Sequence, residues 1–258
     1  MNPLLHHRLL NEDTDGTPLV LIHGLFGAGD NLMGIARGFT DRPVVLVDLR
    51  NHGRSFHAAT MSFDEMAEDV AQVIESLGWP QADVVGHSLG GKVAIQLAQL
   101  RPSVVRRLVV ADIAPIAYPP HHQSVLAGLQ AIDVSAVISR RQADEVLAEY
   151  VIEAGVRNFL LTNLVRAPEG GYAWRMNLPG LIASYEVIRS APAFVGGYAG
   201  PTLYVRGELS DYIQPASEEA INRYTPAATI QTLAGCGHWL HAEKPADFNQ
   251  SVRAFIES

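Results

Sequence analysis

Three residues far apart in the chain have the types that acyl transfer needs: a serine at 88, an aspartate at 112 and a histidine at 238. A serine hydroxyl becomes a usable nucleophile only beside a base, and histidine is the side chain whose charge changes near neutral pH. A carboxylate behind the imidazole holds its tautomer and steadies its positive charge. The serine sits in Gly86-His87-Ser88-Leu89-Gly90-Gly91. An apolar run over 82–85 precedes this hexapeptide and a helix-compatible stretch over 92–100 follows it, the order of a nucleophile elbow. Gly86 and Gly90 leave room for the sharp turn, and Leu89 opens the helix with a backbone N–H free for a developing oxyanion.

A second oxyanion donor is expected upstream, where the apolar run 19–22 ends in His23-Gly24-Leu25-Phe26-Gly27. The Leu25 N–H is the preferred donor and Phe26 the weaker one, while His23 reads as a histidine that holds the loop. The base is expected late in the chain. His238 follows a strand-like stretch over 228–233 and the turn Ala234-Gly235-Cys236-Gly237. His241, nearer the next helix, reads as a packing or surface residue.

Two carboxylates stand in the right order between nucleophile and base. Asp211 follows the strand beginning at Thr202 but lies one residue past the expected turn position, which Ser210 occupies. Asp112 ends the strand over 105–111, at the same sheet edge as Ser88, from where a carboxylate reaches the histidine Nδ1. Asp112 is therefore preferred, with Ser210 a polar neighbour in its network and Asp211 the alternative acid.

These positions demand a scaffold that brings strand ends together. Strands are expected near 4–10, 19–22, 44–48, 83–85, 105–111, 202–205 and 229–233, mostly separated by helical patterns. Ser62 and Glu65 form a capping box, after which Met66, Val70, Val73, Ile74 and Leu77 recur at helical spacing. Such alternation predicts an α/β fold, a mostly parallel sheet with helices on both faces. It stops over 113–200, where helices are expected at 123–131, 141–153, 156–164 and 178–190, with a turn at Glu169-Gly170-Gly171. That stretch reads as a helical cap, inserted after the sixth strand into a core made of 1–112 and 201–258. Tyr118, Phe159, Leu160, Trp174, Met176 and Tyr185 are candidates to line a pocket beneath it. Asp48-Leu49-Arg50-Asn51-His52-Gly53 reads as a structural loop with local hydrogen bonds and an Asp–Arg pair.

The sequence resembles the α/β-hydrolase superfamily and, more narrowly, small bacterial esterases of the YbfF type with their mitochondrial relatives. The resemblance rests on the two turns above, on Asp48 to Ser55, on Asp112-Ile113-Ala114-Pro115, on Gly90-Gly91-Lys92, and on Gly237-His238-Trp239-Leu240-His241 through Pro245. It implies the α/β-hydrolase fold and esterase activity. It also favours Asp112 as the acid, with a serine at the position of Ser210.

The 258 residues, 48% of them hydrophobic, suffice for one large core. No apolar run approaches the roughly 18 residues of a membrane span, and the chain start shows no apolar leader segment. The single cysteine, Cys236, excludes an internal disulfide and suits a reducing, cytoplasmic setting; it reads as a small filler. A net charge of −8 without basic runs argues against nucleic acid as a partner. The ten histidines form no ligand-type spacing and no phosphate-cradling loop is present, so neither a metal nor a cofactor is expected. The expected partner is a small acyl ester or thioester, acyl-CoA included; no oligomeric state is assigned. Other cofactor-free chemistry on the same fold, such as C–C bond hydrolysis, lactone opening or perhydrolysis, and a low-turnover ligand-binding module are the competing readings.

Overall fold

A computed structural model describes residues 3–136 and 139–258. Met1 and Asn2 of the N-terminal stretch, and Val137 and Ile138 of the expected cap, lie outside the described residues. In chain order the strands are β1 (His7–Leu10), β2 (Leu19–Ile22), β3 (Val44–Val47), β4 (Ala82–His87), β5 (Val105–Ala111), β6 (Leu164–Arg166), β7 (Tyr172–Trp174), β8 (Thr202–Gly207) and β9 (Ala228–Leu233). The α-helices are α1 (Met33–Ala36), α2 (Phe63–Ser76), α3 (Leu89–Leu100), α4 (Gln123–Ala131), α5 (Arg140–Ala148) and α6 (Ala154–Leu160). After them come α7 (Leu178–Ala183), α8 (Tyr185–Arg189), α9 (Glu218–Tyr224), α10 (Leu240–Glu243) and α11 (Pro245–Ile256).

Strands pair in the order β1-β3-β2-β4-β5-β8-β9, with β1 antiparallel to β3 and every other pair parallel. The fold is that of the α/β hydrolases, as expected. β2 and β3 are apolar at every position because both sheet faces are covered. Val20 and Ile22 join the layer that holds Val70 and Ile74 of α2 and Val93 of α3, whereas Leu19 and Leu21 face Ile35 of α1 and Phe248 and Val252 of α11. Each such fully buried aliphatic side chain contributes about 1.5–3 kcal/mol. At the start of α2 the expected capping box is present: Ser62 Oγ accepts from the Glu65 N–H at 3.2 Å and Glu65 accepts from the Ser62 N–H at 2.8 Å. Because the strands run parallel, the ends of β2, β4, β5, β8 and β9 reach one edge, and the loops leaving them can converge there. Among the described residues no helix is long and apolar enough to cross a membrane.

The loop after β3 is structural, as expected, but its ion pair has a different partner. Arg50, 2% exposed, donates to both carboxylate oxygens of Asp69 on α2, at 2.6 and 2.9 Å. Asp48 instead accepts from the backbone N–H groups of Gly29 and Arg54, at 2.7 and 2.8 Å. Removing one partner of a buried pair strands the other charge, so Asp69→Ala is expected to cost about 3–5 kcal/mol in urea unfolding. A loss below about 1 kcal/mol would class the pair with exposed ones.

Four corrections concern the segment between β5 and β8. It follows the fifth strand of the chain rather than the sixth, because only one strand, β1, precedes β2. It is also not wholly helical: β6 and β7 pair as a short hairpin, with Leu164 opposite Trp174 and left-handed glycines Gly170 and Gly171 at its turn. Three-residue strands are too short to show an alternation. The helix expected over 141–153 stops at Ala148, where Arg157 Nη1 takes the carbonyls of Val151 and Ile152 at 3.0 and 2.7 Å and fixes them outside a helix. The expected helix 178–190 is likewise divided at Ser184 into α7 and α8.

Candidate active site

Ser88 occupies the turn between β4 and α3 with φ 53° and ψ −119°, backbone angles that side chains rarely adopt. The neighbouring glycines explain how the turn survives. A Cβ on Gly86 would lie 2.2 Å from the Gly90 carbonyl oxygen, and one on Gly90 would lie 2.3 Å from that of Ile22. The Leu89 N–H opens α3 at the positive end of that helix. Among the described residues neither it nor the Leu25 N–H donates to a protein acceptor outside regular helix and strand bonding. The Leu25 turn is braced by His23, as expected: Nδ1 donates to the Gly24 carbonyl at 2.8 Å, and Nε2 accepts from the Leu49 N–H at 3.0 Å. Both bonds require the neutral ring, and burial lowers the His23 pKa accordingly. Phe26, the weaker donor candidate, is buried with φ 62°, its carbonyl held by Asn163 Nδ2 at 2.7 Å.

His238 lies in the loop after β9, half-buried, and links the other two residues. Its Nε2 accepts from the Ser88 hydroxyl at 3.0 Å and its Nδ1 donates to Asp112 Oδ2 at 2.7 Å. Asp112, fully buried, also adopts a left-handed conformation, with φ 52°. Oδ1 accepts from the Gly207 N–H at 2.9 Å, and Oδ2 accepts from the Ser210 hydroxyl as well as from His238. Asp211 is exposed and, among the described residues, meets only Gln214 Nε2, at 3.4 Å. The structure therefore joins Ser88, His238, Asp112 and Ser210 in one network and leaves Asp211 outside it.

Cys236 is buried, with its Sγ donating to the Leu233 carbonyl at 3.3 Å, and burial pushes its thiol up. It fills space, as expected. His241 is buried rather than superficial, packed edge-on against His87 with ring centroids 4.4 Å apart. Among the described residues, no three His, Cys, Asp or Glu side chains are grouped as metal ligands.

Sequence reasoning missed two supports of the histidine and one residue of the cavity wall. Tyr212 stacks on the His238 ring at 3.9 Å and 18°. His87, between the elbow glycine and Ser88, donates from Nε2 to the His238 carbonyl at 2.8 Å and so fixes that loop. Trp239 lines the cavity in front of Ser88. The only signal for His87 was its place inside the elbow motif, and an aromatic at 212 had none.

Burial, then the neighbouring imidazoles, lower the His87 pKa well below its ordinary value, and the same causes hold His241 at about 4. The unfolded chain titrates such histidines near 6.5, so between that value and 4 it binds protons that the folded protein refuses. Stability is thus complete above pH 6.5 and is lost as pH falls, with a slope of at most about 1.4 kcal/mol per pH unit for each group. Melting temperatures measured from pH 7.5 downward are expected to drop once pH passes below about 6.5, and less steeply in His241→Phe. An equal slope in that variant would remove His241 from the account.

The cavity in front of Ser88 has a volume of about 470 Å³ and is lined mainly by apolar groups of the loop after β2 and of α4 and α6, with Phe159 and Leu160 among the expected residues. A smaller cavity of about 30 Å³ also borders Ser88 and includes the expected Tyr118 and Tyr185. Trp174 and Met176 line neither: Met176 is buried in the hydrophobic core and Trp174 packs against it, partly buried.

Known proteins resemble this chain along most of its length. Residues 17–134 match the family described as alpha/beta hydrolase fold. The mouse sn-1-specific diacylglycerol lipase ABHD11 is 40% identical over 99% of this chain and 86% of its own length. The esterase YbfF of Escherichia coli K12 is 33% identical over 93% of this chain and 94% of its own. A solved structure described as a marine microorganism esterase superposes with a TM-score of 0.93 at 37% identity, covering 98% of this chain and 99% of that one. The resemblance to esterases of the YbfF type thus extends along the chain. With so much of its length shared with such relatives, the protein belongs to the α/β-hydrolase family.

Proposed function

We propose that the protein is a serine hydrolase that cleaves carboxylic esters through an acyl-enzyme, with Ser88 as nucleophile, His238 as base and Asp112 as the orienting acid. The observation that carries the reading is the unbroken hydrogen-bond line from the Ser88 hydroxyl through His238 to Asp112. Ser88 Oγ attacks the ester carbonyl while its proton passes to His238 Nε2. Negative charge collects on the carbonyl oxygen, facing the Leu25 and Leu89 N–H groups, each worth about 3 kcal/mol of barrier in comparable sites. The C–O bond to the alcohol then breaks, and the leaving oxygen takes the proton from Nε2. Water, deprotonated by His238, attacks the acyl-Ser88 ester and releases the acid. Residues 113–200 serve as the cap that closes this site over a core of 1–112 and 201–258.

The large cavity favours esters over acyl-CoA. Of the side chains that line it, Glu153 alone is a carboxylate and none is lysine or arginine among the described residues, so the phosphates of a CoA group find no cation there. The names of the relatives, a lipase and an esterase, point the same way. The test is turnover of p-nitrophenyl acetate by the purified protein, with Ser88→Ala as background. Hydrolysis present in the parent and absent in the variant is expected; equal rates in both would overturn the reading.

A further inference from the structure

The two cavities that border Ser88 differ in size and in whether His238 lines them. His238 lines the large cavity, with His87, Trp239 and His241 beside it. It does not line the small one, whose own walls are Leu89 and Lys92 of α3, Ile113 and Tyr118 after β5, and Tyr185, Ile188 and Arg189 of α8. Leu25, Ser88, His121, His122 and Tyr212 border both.

This asymmetry orients the substrate. The leaving alcohol must receive its proton from His238 Nε2, so it departs on the side that His238 faces, the large cavity. The carbonyl oxygen is held between the Leu25 and Leu89 N–H groups. The remaining substituent of the carbonyl carbon, the acyl tail, is left pointing toward the small cavity.

We propose, resting on the ester-hydrolase reading, that the small cavity is the acyl subsite and restricts the protein to short, uncharged acyl groups on bulkier alcohols. Its volume of about 30 Å³ is roughly twice what one water needs, enough for a tail of about two heavy atoms. The walls are fixed. Ile113 and Ile188 are 3% and 6% exposed. Lys92 Nζ, 4.8 Å from the Tyr118 ring, donates to the carbonyls of Arg189 and Ser190, at 3.3 and 2.6 Å. That ties the end of α8 to α3 and closes the subsite floor, and Arg189, the other cation of the wall, is paired with Glu186.

The experiment compares kcat/KM for p-nitrophenyl acetate, propionate, butyrate and octanoate in the parent, in Ile188→Ala and in Val125→Phe, which narrows the large cavity. The parent is expected to prefer acetate and propionate, losing about tenfold or more for each methylene beyond the available space, from butyrate onward. Ile188→Ala is expected to raise the butyrate-to-acetate ratio by about tenfold. Val125→Phe is expected to keep the chain-length order of the parent while raising KM for 2-naphthyl acetate. Circular dichroism checks the fold, and Ile188→Val carries the same comparison if the alanine variant does not fold. A preference for octanoate that Val125→Phe abolishes and Ile188→Ala leaves in place would put the acyl chain in the large cavity and overturn the proposal. Absence of Ser88-dependent hydrolysis for every ester would instead overturn the ester-hydrolase reading itself.

Discussion

Ser88→Ala and His238→Ala are each expected to lower kcat on p-nitrophenyl acetate by about 10⁶-fold, and the double variant to lose no more than either alone. The reason is the single 3.0 Å hydrogen bond through which the two residues act. Without the histidine the hydroxyl keeps its proton, and without the hydroxyl the histidine has nothing to activate. What remains in either variant is the pull of the Leu25 and Leu89 N–H groups on a bound ester. Losses that add in the double variant would mean that the two residues work separately.

Asp112→Asn is expected to lower kcat by about 10⁴-fold, while Asp211→Asn leaves it at the parent value. The hydrogen bonds around Asp112 make the asparagine a sharp probe. Every group that faces its carboxylate is a donor: the Gly207 N–H on one oxygen, the Ser210 hydroxyl and His238 Nδ1–H on the other. Whichever way the asparagine amide turns, its NH₂ meets a donor. Either the histidine takes the wrong tautomer or the loop after β8 shifts. The reverse pattern, a large loss in Asp211→Asn alone, would require a carboxylate that the structure leaves exposed beside Gln214 to reach the imidazole.

Much of this site was readable in the sequence because the chemistry constrains residues locally. Gly86 and Gly90 are dictated by backbone approaches inside one turn, so the elbow carried its own signature. Asp112 could be preferred over Asp211 because parallel strands place their ends on one edge, and β5 lies between β4 and β8. Tyr212, His87 and Trp239 could not be read in the same way. Their roles arise where loops after β4, β8 and β9 meet, and no periodicity records such meetings. The Arg50 ion pair shows the same limit: the sequence suggested an Asp–Arg pair, but the partner, Asp69, is set by how α2 packs on the sheet. The hairpin of β6 and β7 escaped because strands this short carry their pattern in pairing rather than in sequence.

The central claim is that Ser88 is the residue that takes the acyl group. It is tested most directly by treating the protein with a fluorophosphonate and mapping the adduct by peptide mass spectrometry. A single adduct on the peptide carrying Ser88 is expected, absent in Ser88→Ala and formed much more slowly in Asp112→Asn. An adduct on another residue, or labelling that persists in Ser88→Ala, would contradict the account.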